Sequence, residues 1–243
     1  MRLLATILIL SLALSPIDAY ADLSIIATIE NSKQAVVIIR ADTGGLARSP
    51  HKAFRDAKTG RIIVATKLMA AQYSREGAGI IIDHNGTIVT NSHNVLGAKK
   101  ITVVLHDQKE VSCQVLQVVP GEDLAFIRIN MPDGIEPIKF SRTINMRLRD
   151  RVYHIGTSEL LEGTISMGRI TGIGKLARAK GNKTQYADLL QTDFNIYKRD
   201  SGGPLLDTTG NLAGLMVATK VNKNHVSFAI PAWKIAKYYN LLT

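Results

Sequence analysis

The sequence holds a single cysteine, Cys113, so no disulfide can form within the chain. Any exported form must therefore be held together by its core. Aromatic residues are few, at 5%, but hydrophobic residues overall make up 46% of the 243 positions, which fits a globular protein with a real core. Beyond the N-terminus no apolar stretch is long enough to cross a bilayer as a helix. Heptads, internal repeats and low-complexity tracts are absent, which excludes coiled coils and solenoids. His51, His84, His93, His106, His154 and His225 show no metal-ligand spacing. No metal and no cofactor is therefore expected.

What is present starts with an export signature. Arg2 supplies a short positive start, Leu3 to Leu14 form an apolar run of 12 residues, and Ala19-Tyr20-Ala21 resembles a small-residue cleavage site. The run is too short to span a bilayer comfortably. Residues 1–21 are thus expected to be a signal peptide, with a periplasmic or secreted mature chain beginning at Asp22. An uncleaved anchor and a buried N-terminal helix are the alternatives. No stable membrane span is expected after cleavage.

The formal net charge is +10, and removing Arg2 and Asp18 together leaves it unchanged. The basic residues fall in two scattered groups, Arg48 to Arg61 and Lys175 to Lys183, which read as solvated loops. An acidic polymer or anionic headgroups are the partners such charge would attract. Export argues against nucleic acid. Val111, Cys113 and Val115 alternate onto one face of an expected strand, so Cys113 reads as a buried structural thiol.

The pattern along the chain is of short strands. Residues 23–34 have helical spacing, and Ala35 to Arg40 is a compact β-branched run. The stretch from Ala41 to Gly77 reads as a long exposed loop with a short strand at Ile62 to Thr66. Then Ile80–Asp83 and Thr87–Thr90 flank Asn85-Gly86, a strong hairpin signal. Ile101–Leu105, Val111–Val118 and Leu124–Ile129 follow. Met131 to Asp150 reads as a connection. A second run covers Val152–Ile155, Thr164–Ile173, Ala187–Thr192, Asn211–Thr219 and His225–Ile230, and Pro231 opens a terminal helix. So many strands at close spacing predict an all-β protein of two barrels, with a first unit over 22–140 and a second over 141–243.

Three segments carry chemistry. Lys198-Arg-Asp-Ser-Gly-Gly-Pro204 puts Ser201 on a tight turn whose glycines admit close backbone approach and whose amides can meet an oxyanion. Thr90-Asn-Ser-His93 ends a strand with an imidazole. Pro120-Gly-Glu-Asp123 opens an apolar strand with a carboxylate, Asp123 being preferred over the competing Glu122 because it borders the strand. A serine needs a base, and the base needs an orienting acid. The order His, Asp, Ser matches one known triad arrangement.

Gly77-Ala-Gly-Ile-Ile-Ile-Asp83, Thr90-Asn-Ser-His93, Asp123-Leu-Ala-Phe-Ile127, Gln191-Thr-Asp193, Asp200-Ser-Gly-Gly203 and Phe228-Ala-Ile-Pro231 together resemble the HtrA/Deg-type, trypsin-like serine proteases. The resemblance spans roughly Ala35 to Asn240. It implies two packed six-stranded β-barrels of chymotrypsin type with a short C-terminal helix. It implies His93 as general base, Asp123 as orienting acid and Ser201 as nucleophile, with the amides of Ser201 and Arg199 as oxyanion hole. Asn195, Ile196 and Lys198 would contact substrate. Uncharged Asn195 argues against Arg/Lys preference, and Ile196 favours a small aliphatic side chain. Protein and peptide substrates are implied. Related enzymes are often trimers, which makes a homo-oligomer an expectation of resemblance alone. The usual C-terminal PDZ domain has no counterpart in the 12 residues after Pro231.

Two departures stand out. The family's glycine two residues before the serine is Arg199 here, and a left-handed conformation would cost an arginine about 1–2 kcal/mol. The hole is therefore expected to be weak or to form only with substrate, and an inactive binding module is the competing function. Asp200 restores an acid that in digestive enzymes pairs with a freed N-terminus; Lys198, Arg199 or another cation is expected to pair with it.

Overall fold

The computed structural model describes residues 16–44, 46–55, 62–70, 75–141, 146–157, 163–178, 185–219 and 226–242. The first 15 residues of the expected signal peptide, the basic stretch 179–184 and His225 lie outside them. The described chain opens with helix α1 (Pro16–Ser32), longer than the helical spacing of 23–34 suggests.

Strands β1 (Val36–Asp42), β4 (Arg75–Ile81), β5 (Thr87–Thr90), β6 (Lys100–Val104), β7 (Glu110–Ser112), β8 (Gln114–Val119) and β9 (Leu124–Arg128) form one seven-stranded sheet in the order β7-β6-β1-β4-β5-β9-β8. The β4–β5 hairpin turns as the Asn-Gly signal predicts. Gly86 has φ +75°, and the Asp83 carboxylate accepts the amides of Asn85 and Thr87 at 2.8 and 2.9 Å. One strand expected over 111–118 is instead split at Cys113 into β7 and β8. A register shift follows between Val115 and Gln117, and Val115 is exposed. The alternation that put Val115 with Cys113 fails there because the chain changes neighbours, leaving β6 for β9.

The stretch read as a long loop carries a hairpin, β2 (Leu46–Arg55) against β3 (Ile62–Ala70), separate from the main sheet. Loop-like composition hid it, since Gly44, Gly45 and Pro50 are turn residues in most contexts.

In the second half β10 (Arg151–Ile155), β11 (Ile165–Arg178), β12 (Gln185–Thr192), β13 (Pro204–Leu206), β14 (Leu212–Thr219) and β15 (Ser227–Pro231) close a six-stranded barrel in the order β10-β11-β12-β15-β14-β13. The three-residue β13 has too little pattern to be read from sequence, yet it is the staple that joins β10 to β14. The protein is thus mostly β, as expected.

One apolar cluster runs through both halves, from Ile29 and Ile39 through Ile80, Ile88 and Phe126 to Leu206, Leu215 and Ile235. A second fills the closed barrel with Val152, Ile170, Leu205 and Met216. The C-terminal helix α3 (Ala232–Tyr239) straps the halves together. The Tyr239 ring lies 6.4 Å from that of Phe126, and its hydroxyl donates to Asp83 at 2.8 Å. Buried Lys234 donates to Glu122 at 2.9 Å and to the Ala187 carbonyl at 3.1 Å. Among the described residues no helix is long and apolar enough to cross a membrane.

Candidate active site

The strand ends bring His93, Asp123 and Ser201 to one place. His93 sits on a single helical turn, Ser92–Val95, just after β5. Asp123 follows a short 3-10 turn and adopts a left-handed φ of 55°, which Asp tolerates better than most side chains. That twist directs its carboxylate at the helical turn. Asp123 accepts the Ser92 hydroxyl at 2.9 Å, the His93 amide at 3.0 Å and His93 Nδ1 at 2.8 Å. His93 Nε2 then lies 3.1 Å from Ser201 Oγ. With Nδ1–H facing the carboxylate, Nε2 is left to accept the serine proton. The acid is 2% exposed and the imidazole 42%, so a charge born on the ring is compensated from the dry side and open to substrate on the other.

Asp123 rather than Glu122 faces the imidazole. Glu122 goes to Lys234 on α3. Three partners were not legible in the sequence. Asn91 Oδ1 accepts the Ser201 hydroxyl at 2.8 Å, competing with His93 for one proton, while its amide holds the Asp123 carbonyl at 3.1 Å. Arg75 clamps the turn that bears His93 by donating to the His93 and Leu96 carbonyls. Glu76, the next residue, pairs with Arg199 on the turn that bears Ser201. The only signal was a charged pair at the start of an apolar strand.

Ser201 is stitched to the first half by backbone. Its carbonyl accepts the Ala78 amide at 2.8 Å and the Asn94 side chain at 3.0 Å. Gly202 has φ +92°, and a Cβ there would sit 2.2 Å from the Ala78 carbonyl oxygen, so glycine is required twice over.

Residues Lys198–Asp200 form a 3-10 turn, and Arg199 is not among the residues of positive φ. In a 3-10 turn each amide points back toward the carbonyl three residues earlier. The conformational cost anticipated for Arg199 is therefore avoided in this state. Thr157 Oγ1 holds the Arg199 carbonyl at 2.9 Å. Asn195 is exposed, while Ile196 is buried in the second-barrel core beside Phe194. The Lys198 side chain lies outside the described residues. A cavity of about 560 Å³ lined by Lys139, Phe140, Met146 and Asp207 includes none of the triad residues. Among the described residues no group of His, Cys, Asp and Glu could hold a metal ion.

Asp200 does not take the Arg199 guanidinium, which goes to Glu76. It is 2% exposed and accepts the Thr157 amide on one oxygen and the Tyr197 amide on the other, both at 2.8 Å. The side chain at ion-pair distance from it is His154 on β10, with Nε2 3.8 Å from Oδ2. Burial pushes the Asp200 carboxyl up, but His154 and the two amides outweigh it and hold it below the usual carboxylate range. Arg199 is too far round the turn and takes Glu76 instead.

A closed β-barrel packed on a curved sheet, with an acid, an imidazole and a serine meeting between them, is the architecture of double-barrel peptidases. The chain belongs to the family of trypsin-like peptidase domains, whose pattern it matches over residues 77–215. It is 32% identical over 160 residues to the periplasmic serine endoprotease DegP of Salmonella typhimurium, covering 64% of this chain and 33% of that protein. It is 32% identical over 159 residues to the chloroplastic protease Do-like 1 of Arabidopsis thaliana, covering 64% and 36%. These relatives bear out the HtrA/Deg-type resemblance. In eight of the curated relatives it matches, the chain spans 31% to 40% of their length. A serine endoprotease from Yersinia pestis superposes with a TM-score of 0.67 at 22% identity, over 90% of this chain and 66% of that one, a likeness of fold.

Proposed function

We propose that this chain is an exported serine endopeptidase that hydrolyses peptide bonds of proteins through an acyl-enzyme. The observation that carries the reading is the continuous relay from Asp123 Oδ2 to His93 Nδ1 at 2.8 Å and from His93 Nε2 to Ser201 Oγ at 3.1 Å. Ser201 Oγ attacks the scissile carbonyl carbon as its proton passes to His93 Nε2. Asp123 holds the imidazolium that results. His93 then gives the proton to the leaving amine, and water, deprotonated by His93, releases the acyl group from Ser201.

The amides of Ser201 and Arg199 would stabilise the oxyanion. The 3-10 turn is the resting form, and substrate binding opens it, so activity is conditional. Asn195 and Lys198 would belong to the substrate-binding wall, with Ile196 behind them in the barrel core, and a small aliphatic residue would be preferred next to the scissile bond. Export rests on the N-terminal signature of residues 1–21 and on the periplasmic naming of relatives such as DegP. A homo-oligomer is the assembly by family resemblance.

The test is a serine-directed fluorophosphonate followed by mapping of the adduct. Labelling at Ser201 that disappears in Ser201→Ala and in His93→Ala is the expected result. A folded protein that takes no label, alone or with peptide substrate, refutes the enzyme and leaves a binding module.

A further inference from the structure

The buried pair behind the nucleophile turn has a protonation requirement that the hydrolytic relay does not use. His154 is 1% exposed. Its Nδ1 faces the Pro204 carbonyl at 2.9 Å, and a carbonyl can only accept, so Nδ1 must carry a proton. Among the described residues Nε2 has no hydrogen-bond partner, and it faces Asp200 Oδ2 at 3.8 Å. Both Asp200 oxygens accept backbone amides, the arrangement of an ionised carboxylate. A neutral imidazole would then turn a bare lone pair toward a buried anion and withdraw the ion-pair partner that the described residues give it.

The ring's other surroundings supply no alternative cation. The Phe194 ring stacks on it at 6.0 Å, Ser166 of β11 and Leu205 of β13 are its cross-strand neighbours, and Gly203 lies against its edge. Of these contacts only Asp200 is ionisable, and among the described residues it is the group at ion-pair distance from the ring.

We propose that His154 is a positioning residue for the nucleophile turn: as an imidazolium it is the internal counter-charge that holds Asp200, and through it residues 197–203, in place. The proposal rests on Ser201 being the nucleophile. The mechanical link is short. The Asp200 carboxylate holds the Tyr197 amide, its backbone amide donates to the Tyr197 carbonyl at 3.0 Å, and its carbonyl accepts the Gly203 amide at 2.9 Å. Ser201 lies inside that loop of bonds. Loss of the His154 proton to solvent leaves a buried carboxylate that must move toward water or take up a proton, and either change releases the turn.

The sign distinguishes this group from the base. The base acts only when neutral and the positioning group only when charged, so the two bear on the pH profile with opposite sign.

Two measurements test this. First, nitrogen NMR of the imidazoles in the otherwise intact Ser201→Ala protein, at neutral pH. Both His154 nitrogens are expected to be protonated, and Asp200→Asn should leave Nε2 bare. A neutral His154 beside an intact Asp200 overturns the proposal whether or not the protein hydrolyses anything. Second, the rate of fluorophosphonate labelling at Ser201 against pH. His154→Gln should lower the neutral-pH rate on the order of 100-fold, the scale of losing one oxyanion donor, and remove the alkaline decline. His154→Lys should move that decline to higher pH, because an ammonium keeps its proton longer. A His154→Gln profile that is unchanged, or merely scaled down with the same alkaline decline, overturns the positioning role. No labelling of the wild type refutes Ser201 as nucleophile and with it this role, while the nitrogen spectrum still decides whether the buried pair is charged.

Discussion

Replacing Arg199 by glycine should make Ser201 react faster. In the structure Arg199 sits in the 3-10 turn with its guanidinium on Glu76, a carboxylate that also receives Arg40 at 3.0 Å. Two terms hold the turn in that form. The ion pair joins a side chain that is 34% exposed to one that is 17% exposed, so solvent screens it and its worth is about 0.5–1 kcal/mol. The open hole asks residue 199 for a conformation that glycine takes freely and arginine reaches at about 1–2 kcal/mol. Removing both should favour the open turn by about 2 kcal/mol, a shift of roughly 30-fold in its population. The assay is the second-order rate of fluorophosphonate labelling at Ser201, with circular dichroism as the control for folding. Arg199→Gly should label on the order of 10- to 100-fold faster. Glu76→Gln, which removes the ion pairs to Arg199 and Arg40 but keeps the arginine at 199, should gain about 2- to 5-fold. A folded Arg199→Gly protein that labels at the wild-type rate or more slowly would refute the reasoning, because the 3-10 turn would then not be the barrier.

Two further outcomes follow from the titrating groups. Burial pushes the Cys113 thiol up to about 11, so the native protein should resist a disulfide reagent at mildly alkaline pH and react stoichiometrically once unfolded; rapid reaction of the folded chain would contradict this. Asp83 is held below its ordinary value of 3.8: burial raises it, but bonds from Thr87, Tyr239 and Asn85 outweigh that. A depressed carboxyl stabilises the fold above its unfolded-state pKa, and that stability is lost as pH falls through the lower folded-state value. Asp83→Asn should therefore lower the neutral-pH stability by about 1–2 kcal/mol and shrink the loss of melting temperature in acid; a variant with the wild-type acid slope would count against the linkage.

The strand pattern was legible wherever one rule governed a whole segment. Alternation and the Asn85-Gly86 turn located the β4–β5 hairpin, because a two-residue turn and two short apolar runs are local facts. β13 was not legible, since three residues have no period. The 46–70 stretch was legible only in part: the strand expected at Ile62 to Thr66 lies within β3, while its partner β2 carries loop-like residues.

The same division runs through the site. His93, Asp123 and Ser201, which the fold brings within hydrogen-bond distance of one another, could be singled out from sequence because each lies on a short motif. Charge partners could not. Asp200 stands next to Arg199 in the chain, and adjacency put Lys198 and Arg199 ahead of any other cation as its expected partner. The turn sends their side chains in different directions, to His154 and Thr157 in the barrel and to Glu76 on β4.

By itself the sequence determined an all-β chain with a serine, an imidazole and a carboxylate at strand ends, and it marked Arg199 as the departure that matters. Only the tertiary structure decided what Arg199 does. A residue's backbone conformation and its ion-pair partner are set by what the fold brings within a few ångströms. Here that is Glu76, 123 positions earlier in the chain, together with Thr157 holding the Arg199 carbonyl. The turn that looked like a costly left-handed site is a 3-10 turn held from both sides.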